Sequence, residues 1–179
     1  LELTRDLAQR FNHRFKRTFR MPEPYILKDS AKIMDLANPT SKMSKSSESQ
    51  AGVLDLLEDP KITAKKVRSA VTDSDTHVAY DTDAKPGISN LLGLYSAFSG
   101  TPIDALVEQY AGQGYGAFKS DLAEVVADFV TPVRNRTLEL LKHRGELDNI
   151  LTKGAERANE VAQRTLDDLY ANTGLPRPI

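Results

Sequence analysis

The chain has 179 residues, enough for one large domain or two small ones with a buried core. Its residues are 40% apolar and 27% charged with a formal net charge of −1, which excludes a disordered tail, and no apolar run reaches the ~18 residues a membrane span requires. It has no cysteine, which excludes disulfides and thiolate metal sites and fits a reducing, cytoplasmic location; His13, His77 and His143 lie far apart without metal-ligand spacing, so no metal site is expected.

The chain opens inside a helix pattern. In "LELTRDLAQRFNHRF" Leu3, Leu7, Phe11 and Phe15 recur every fourth residue, so one face is expected to be core. Neither an initiator Met nor a capping residue precedes this pattern, which predicts that the chain is a fragment with an earlier portion. "YILK" reads as short and β-prone. "AKIMDLA" and "AGVLDLL" follow; both fit buried strands, though "AGVLDLL" reads equally as helix.

Between them lies "NPTSKMSKSSESQ", a nearly apolar-free run. From Asp59 onward the pattern turns helical: Asp59 caps, Pro60 takes the first helical position, and Ile62, Val67 and Ala70 form a partial stripe. An acidic loop, "DSDTHVAYDTDAKPG", leads to a helix with Leu91, Leu92, Tyr95 and Phe98 at helical spacing, stopped by Gly100. "TPIDALVEQYAG" gives a shorter helix with the same punctuation.

The longest periodic run sets Leu122, Val125, Val126, Phe129, Val130, Val133, Leu140 and Leu141 on one side, with Pro132 expected to kink it. A last helix is predicted from about Glu146 to Tyr170, stopped by Gly174 and Pro176. The expected class is therefore mainly α: a short α/β piece followed by an all-helical piece.

Charge is uneven along this order. Residues 1–45 hold ten Lys and Arg against five Asp and Glu, whereas residues 46–179 hold fourteen against twenty, so the first segment is the better anion site. Within it, Lys42 and Lys45 are two point charges three residues apart, with Ser44 between them and Ser46 beside them on a loop without bulky constraint. A lysine ammonium follows the changing geometry of a phosphate chain better than arginine's rigid fork does. From charge and flexibility alone the loop is either a triphosphate site or a solvated surface loop.

The letters narrow that choice. "KMSKS" is identical to the signature pentapeptide of class I aminoacyl-tRNA synthetases. With it, "LELTRDLAQRFN", "AKIMDLANPTSKMSKS", "LLEDPKITAKKVRSAVTDSD", "AKPGISNLLGLYSAFSG" and "QYAGQGYGAFKSDLAEVVADFVTPV" resemble, in order, the C-terminal half of bacterial tryptophanyl-tRNA synthetases. Tyrosyl-tRNA synthetases are the nearest alternative.

The resemblance implies a ligase that activates L-tryptophan with ATP and Mg²⁺ and passes it to tRNA(Trp), as a cytoplasmic homodimer. It implies that Lys42 and Lys45 act on the β- and γ-phosphates, that Ser44 and Ser46 donate to phosphate oxygens, that Met43 anchors the loop, and that Ile33 lies against adenine. For Ile33 plain core packing is the alternative. The implied fold is mainly α, the C-terminal remnant of an α/β Rossmann-type nucleotide-binding domain followed by a helical bundle. It is laid out as nucleotide-binding residues 1–57, a helical anticodon-binding region at 58–145, and a final helix at 146–179 that returns to the nucleotide-binding part.

Arg134, Arg136, Lys142, His143, Arg144, Arg157 and Arg164 are expected to face tRNA phosphates, or simply to complement helix C-termini. Two features depart from the family pattern. Ser47-Glu48-Ser49-Gln50 replaces the common Asp-Pro after the pentapeptide, and the HIGH-like motif and the tryptophan pocket are absent. The fragment is thus expected to be inactive alone. A noncatalytic tRNA-binding or regulatory module derived from a synthetase is the competing expectation.

Overall fold

A computed structural model describes residues 1–26 and 32–176. Its helices are α1 (Glu2–Arg14), α2 (Pro60–Arg68), α3 (Pro86–Ser99), α4 (Ile103–Gln109), α5 (Gly114–Lys142) and α6 (Arg144–Thr173). The chain divides into two compact units, one made of Leu1–Ile26 with Leu140–Ile179 and the other of Leu27–Glu139.

The second unit holds the core. The Asp59 carboxylate accepts from the Lys61 N–H at 2.8 Å and Pro60 needs no donor partner, so α2 starts where the sequence places it. Helix α3 ends on Gly100 at φ 74°, the left-handed conformation that a side chain would disfavour. Leu36, Val67, Val78, Ile88, Leu91, Leu92, Leu106, Phe118, Leu122 and Val126 form one buried cluster, each worth roughly 1.5–3 kcal/mol on full burial. Within it the Tyr110 hydroxyl donates to Asp121 at 2.7 Å and lies 3.2 Å from the Tyr95 hydroxyl, so the ring is buried without an orphaned polar tip. Burial, with these two neighbours, pushes the Tyr110 phenol far above its ordinary value.

No strand forms among the described residues; the expected strands at "AKIMDLA" and "AGVLDLL" are corrected to irregular chain with one isolated antiparallel bridge, Met34 to Lys42. Leu36 and Val53 are nonetheless buried, as the apolar runs suggested. Their backbone is satisfied piecemeal. The Leu36 N–H donates to the Gly52 carbonyl at 2.9 Å, and the Leu36 carbonyl accepts from the Val71 N–H at 2.7 Å. Lys66 binds the Val53 carbonyl at 3.0 Å and the Glu58 carboxylate at 2.7 Å, tying this segment to α2. Of "YILK", Tyr25 and Ile26 are exposed irregular chain, and the remainder lies outside the described residues.

The acidic loop closes on α5. The Tyr115 hydroxyl sits 2.9 Å from Asp73 and accepts from Lys85 at 3.1 Å, while Lys85 also pairs with Asp75 at 2.7 Å. Lys119 donates to the Ala70 carbonyl and the Thr72 hydroxyl, each at 2.9 Å. The Lys85 hydrogen bond, with donors from Thr76 and His77, holds Asp75 down at about 2; reciprocally Asp75 and Tyr115 raise Lys85 above its ordinary value.

In the first unit Asn12 organises the turn after α1. Its amide nitrogen donates to the Phe19 carbonyl, and its oxygen accepts from the N–H groups of Thr18 and Phe19. Near the end of α6, Asn172 donates to the Thr18 hydroxyl at 2.9 Å. The apolar stripe of α1 is corrected: Leu3, Leu7 and Phe15 are exposed and only Ala8 is buried. Phe11 instead stacks sideways on Phe15 and Phe19.

Several positions of the expected stripes are exposed, Ile62 on α2 and Phe129, Val133 and Leu141 on α5, and so are the apolar residues Ile150, Leu151, Val161 and Leu166 on α6. Periodicity marks a face, and each of these helices carries more apolar residues than the described neighbours cover. Helix α5 runs unbroken through Pro132; the missing N–H orphans the carbonyl of Asp128, an exposed residue that water can reach.

Two measurements check this packing. A Cβ on Gly87 would lie 2.4 Å from the Val71 carbonyl oxygen, so Gly87→Ala should lower stability by about 1–3 kcal/mol in urea unfolding; Gly154→Ala, in open space within α6, should raise local helix stability by about 0.5–1 kcal/mol in amide exchange. For pH, the lowered Asp75 value means its stabilisation is complete above about pH 4 and is lost as pH falls towards about 2. Asp75→Asn should therefore flatten the acid limb of the stability profile, with little change in slope between pH 5 and 8.

Candidate functional site

Residues 42–46 leave the core through the Met34–Lys42 bridge. The Met43 N–H donates to the Ile33 carbonyl at 3.0 Å, and the Asp35 N–H to the Ser41 carbonyl at 2.8 Å. These two bonds hold the two arms of the turn together at its base. The Met43 side chain is half-buried against the core cluster, and its sulfur accepts from the Leu54 N–H at 3.5 Å. Methionine's flexible thioether suits such a pivot.

Beyond this anchor the loop holds itself with short polar contacts. The Ser44 and Ser46 hydroxyls lie 2.9 Å apart, the Ser46 N–H donates to Ser44 Oγ at 3.3 Å, and the Ser47 N–H donates to the Ser44 carbonyl at 3.2 Å. Gln50 returns over the turn, donating to the Ser47 carbonyl at 2.9 Å and more weakly to that of Lys45. This is how the Ser-Glu-Ser-Gln continuation closes the loop.

Lys42 and Lys45 are exposed, and among the described residues neither ammonium has a hydrogen-bond or ion-pair partner. Two cations on one short turn repel each other, so an added anion gains both interactions without first breaking a salt bridge. A hollow of about 310 Å³ opens here, lined by Asn38, Ser41, Lys42, Ser44, Ser46 and the buried Asp35. One carboxylate oxygen of Asp35 accepts from the N–H groups of Ala37 (2.8 Å) and Asn38 (3.0 Å), which offsets its charge locally. Gly52 presses on this carboxylate so closely that a Cβ would lie 1.7 Å from the oxygen.

Ile33 is 37% exposed, so plain core packing does not describe it. It lines a separate cleft of about 230 Å³ with Met34, Pro39, Tyr80, Asn90 and Leu94. The loop residues and Ile33 thus share one base, the segment 33–43, but face different hollows.

Three residues of this base were not singled out from sequence: Asp35, Gly52 and Asn90. Asn90 carried a faint signal, the lone carboxamide of α3, followed by Leu91 and Leu92. Asp35 and Gly52 carried none, because their meeting depends on the fold of the irregular chain.

The expected basic cluster is partly engaged. Arg134 donates to the Leu57 carbonyl at 3.0 Å, Arg136 pairs with Glu139 at 2.9 Å, and Arg164 pairs with Glu160 at 3.1 Å. Exposed helical pairs of this kind contribute about 0.3–0.5 kcal/mol and leave the cations available. Lys142, His143, Arg144 and Arg157 are exposed. Among the described residues no group of three or more His, Asp or Glu is placed to hold a metal, and no helix is long and apolar enough to cross a membrane.

Residues 1–131 match the model of the family described as tRNA synthetases class I (W and Y). Tryptophan–tRNA ligase 2 of Streptomyces avermitilis is 58% identical over 97% of this chain and 52% of its own length, and the tryptophan–tRNA ligase of Corynebacterium glutamicum is 52% identical over 97% and 50%. Among solved structures, tryptophanyl-tRNA synthetase from Mycoplasma pneumoniae superposes with a TM-score of 0.84 at 33% identity, covering 98% of this chain and 55% of that one. The enzyme from Campylobacter jejuni, complexed with ADP and tryptophan, gives 0.62 at 29% identity over 97% and 53%. The chain spans about half the length of the curated relatives it matches.

A dicationic loop with Lys42 beside a hydroxyl-lined hollow and a helical scaffold matched at this level agree on one assignment: the chain belongs to the class I tRNA synthetases of the W and Y family.

Proposed function

We propose that these residues are the second half of a tryptophan–tRNA ligase. The reaction begins when a tryptophan carboxylate oxygen attacks the α-phosphorus of ATP, the bond from that phosphorus to the β-bridging oxygen breaks, and pyrophosphate leaves with the electron pair. In the second step a ribose hydroxyl at the tRNA end attacks the aminoacyl carbonyl and AMP departs.

The observation that carries the proposal is the pair of exposed ammonium groups on the 42–46 loop, without partners among the described residues, in a chain 58% identical to a tryptophan–tRNA ligase. Lys42 and Lys45 meet the charge that grows on the β- and γ-phosphates as pyrophosphate leaves, an electrostatic contribution realised mainly in the transition state. Ser44 and Ser46, now bonded to each other, exchange that contact for phosphate oxygens, and Met43 is the hinge that stays behind. Ile33 offers its exposed side chain to the adenine ring. Mg²⁺ enters with the substrate as its phosphate chelate.

The remaining assignments follow the same reading. Residues 1–57 complete the nucleotide-binding domain, 58–145 form the anticodon-binding region, and 146–179 form the returning helix, a layout supported by the Asn172 hydrogen bond to Thr18. Lys142, His143, Arg144 and Arg157 supply phosphate contacts to tRNA(Trp), and the whole ligase acts as a cytoplasmic homodimer. No observation favours a noncatalytic module: the named relatives are ligases.

The test joins residues 1–179 to the N-terminal half of the Streptomyces avermitilis ligase and follows tryptophan-dependent exchange of pyrophosphate into ATP. Lys45→Ala should lower kcat by roughly 10²–10³-fold while leaving KM for tryptophan within about twofold, since the lost contact belongs to the transition state. An unchanged single-turnover rate would defeat the phosphate-loop assignment. The 179 residues alone should show no exchange above background at any tryptophan concentration; measurable turnover would show that they hold a whole active site.

A further inference from the structure

The Met34–Lys42 bridge is of the type whose flanking residues make the hydrogen bonds: Ile33 with Met43 on one side and Asp35 with Ser41 on the other. In such a pair the N–H and C=O of Met34 point away from the loop, towards where a further strand would lie. No strand is described there. The carboxamide of Asn90, on α3, takes its place: its oxygen accepts from the Met34 N–H at 2.9 Å and its nitrogen donates to the Met34 carbonyl at 3.0 Å. A carboxamide carries the same donor and acceptor as a peptide, so one side chain completes both bonds.

Helix α3 is itself seated on main chain. At Gly87 its first turn lies against the Val71 carbonyl, and the Val71 N–H bonds to Leu36, two residues beyond Met34. The helix and the base of the loop are thereby located by backbone contacts, with Asn90 the link between them.

We propose that Asn90 is a positioning residue that sets the register of Lys42 and, through it, the placement of Lys45 during pyrophosphate departure. It rests on the phosphate-loop reading above. With the carboxamide removed, both polar groups of Met34 lose their partners, segment 33–36 can shift, and the two ammonium groups fall out of line with the phosphates. Errors of about 1 Å in such alignment cost about 10²-fold in rate. A purely structural Asn90 would affect stability and leave the turnover of folded enzyme intact.

The same hybrid enzyme, bearing Asn90→Leu, Asn90→Asp or Lys45→Ala, separates these outcomes, together with amide exchange of the 179-residue chain. Asn90→Leu should lower kcat by about 30–100-fold with KM for tryptophan within about twofold. The Met34, Asp35 and Met43 amides should exchange about tenfold faster or more, while those of Leu122 and Val126 do not change. Asn90→Asp keeps the acceptor and loses the donor, and should fall between parent and Asn90→Leu in both readouts. If Asn90→Leu also loosens the Leu122 and Val126 amides, Asn90→Asp decides: a kcat drop of about fivefold or more with an intact core supports positioning, and parental turnover overturns it. Parental kcat in Asn90→Leu beside a crippled Lys45→Ala overturns the role of Asn90 and leaves the phosphate loop standing. Parental kcat in Lys45→Ala removes both.

Discussion

Burying Leu36 obliges the chain to find partners for main-chain groups that no sheet supplies. An unpaired buried amide costs about 1–3 kcal/mol, as much as the leucine gains. The four residues from Ile33 to Leu36 meet this constraint from four directions: the Ser41–Met43 turn, the Gly52 carbonyl, the Val71 amide and the Asn90 side chain. Each partner comes from a different part of the sequence, so the loop at 42–46 departs from a fixed base even though its tip is held by a few local bonds among Ser44, Ser46, Ser47 and Gln50. A fixed root and a lightly held tip suit the phosphate-binding role proposed for this segment.

The helices serve that root more than they serve each other's surfaces. Gly87 brings α3 against the main chain at Val71, and Lys66 from α2 holds the Val53 carbonyl. Behind them the Tyr95–Tyr110–Asp121 chain and the Tyr115–Asp73–Lys85 network place polar groups in or beside the core without leaving them orphaned. Lys119, drawn down by burial, spends its protons on the Ala70 carbonyl and the Thr72 hydroxyl, at the start of the acidic loop. The helical part therefore stiffens the chain that frames the cleft beside Ile33 and the hollow beside Lys42.

Surface left uncovered has the opposite character. Leu3 and Leu7 on α1, and Ile150, Leu151 and Val161 on α6, keep a helix-period apolar pattern without burial among the described residues. The relatives are about twice as long as this chain. A helix-period apolar pattern is visible in sequence whether or not anything covers it.

Helix positions were legible because they are local: Asp59 and Pro60 start α2, Gly100 and Gly174 stop α3 and α6, and period 3.6 marks the rest. The Lys42-Met43-Ser44-Lys45-Ser46 run and its family were legible for the same reason, since the pentapeptide is contiguous. Sequence alone thus determined a mainly helical chain with a flexible dicationic loop. Only the tertiary structure decided that the apolar runs beside the loop are buried without becoming strands, that Gly52 lies on Asp35, and that Asn90 stands in for a neighbouring strand. Those outcomes depend on hydrogen bonds and close approaches between residues up to 56 positions apart, and no local pattern records who will meet whom at that distance.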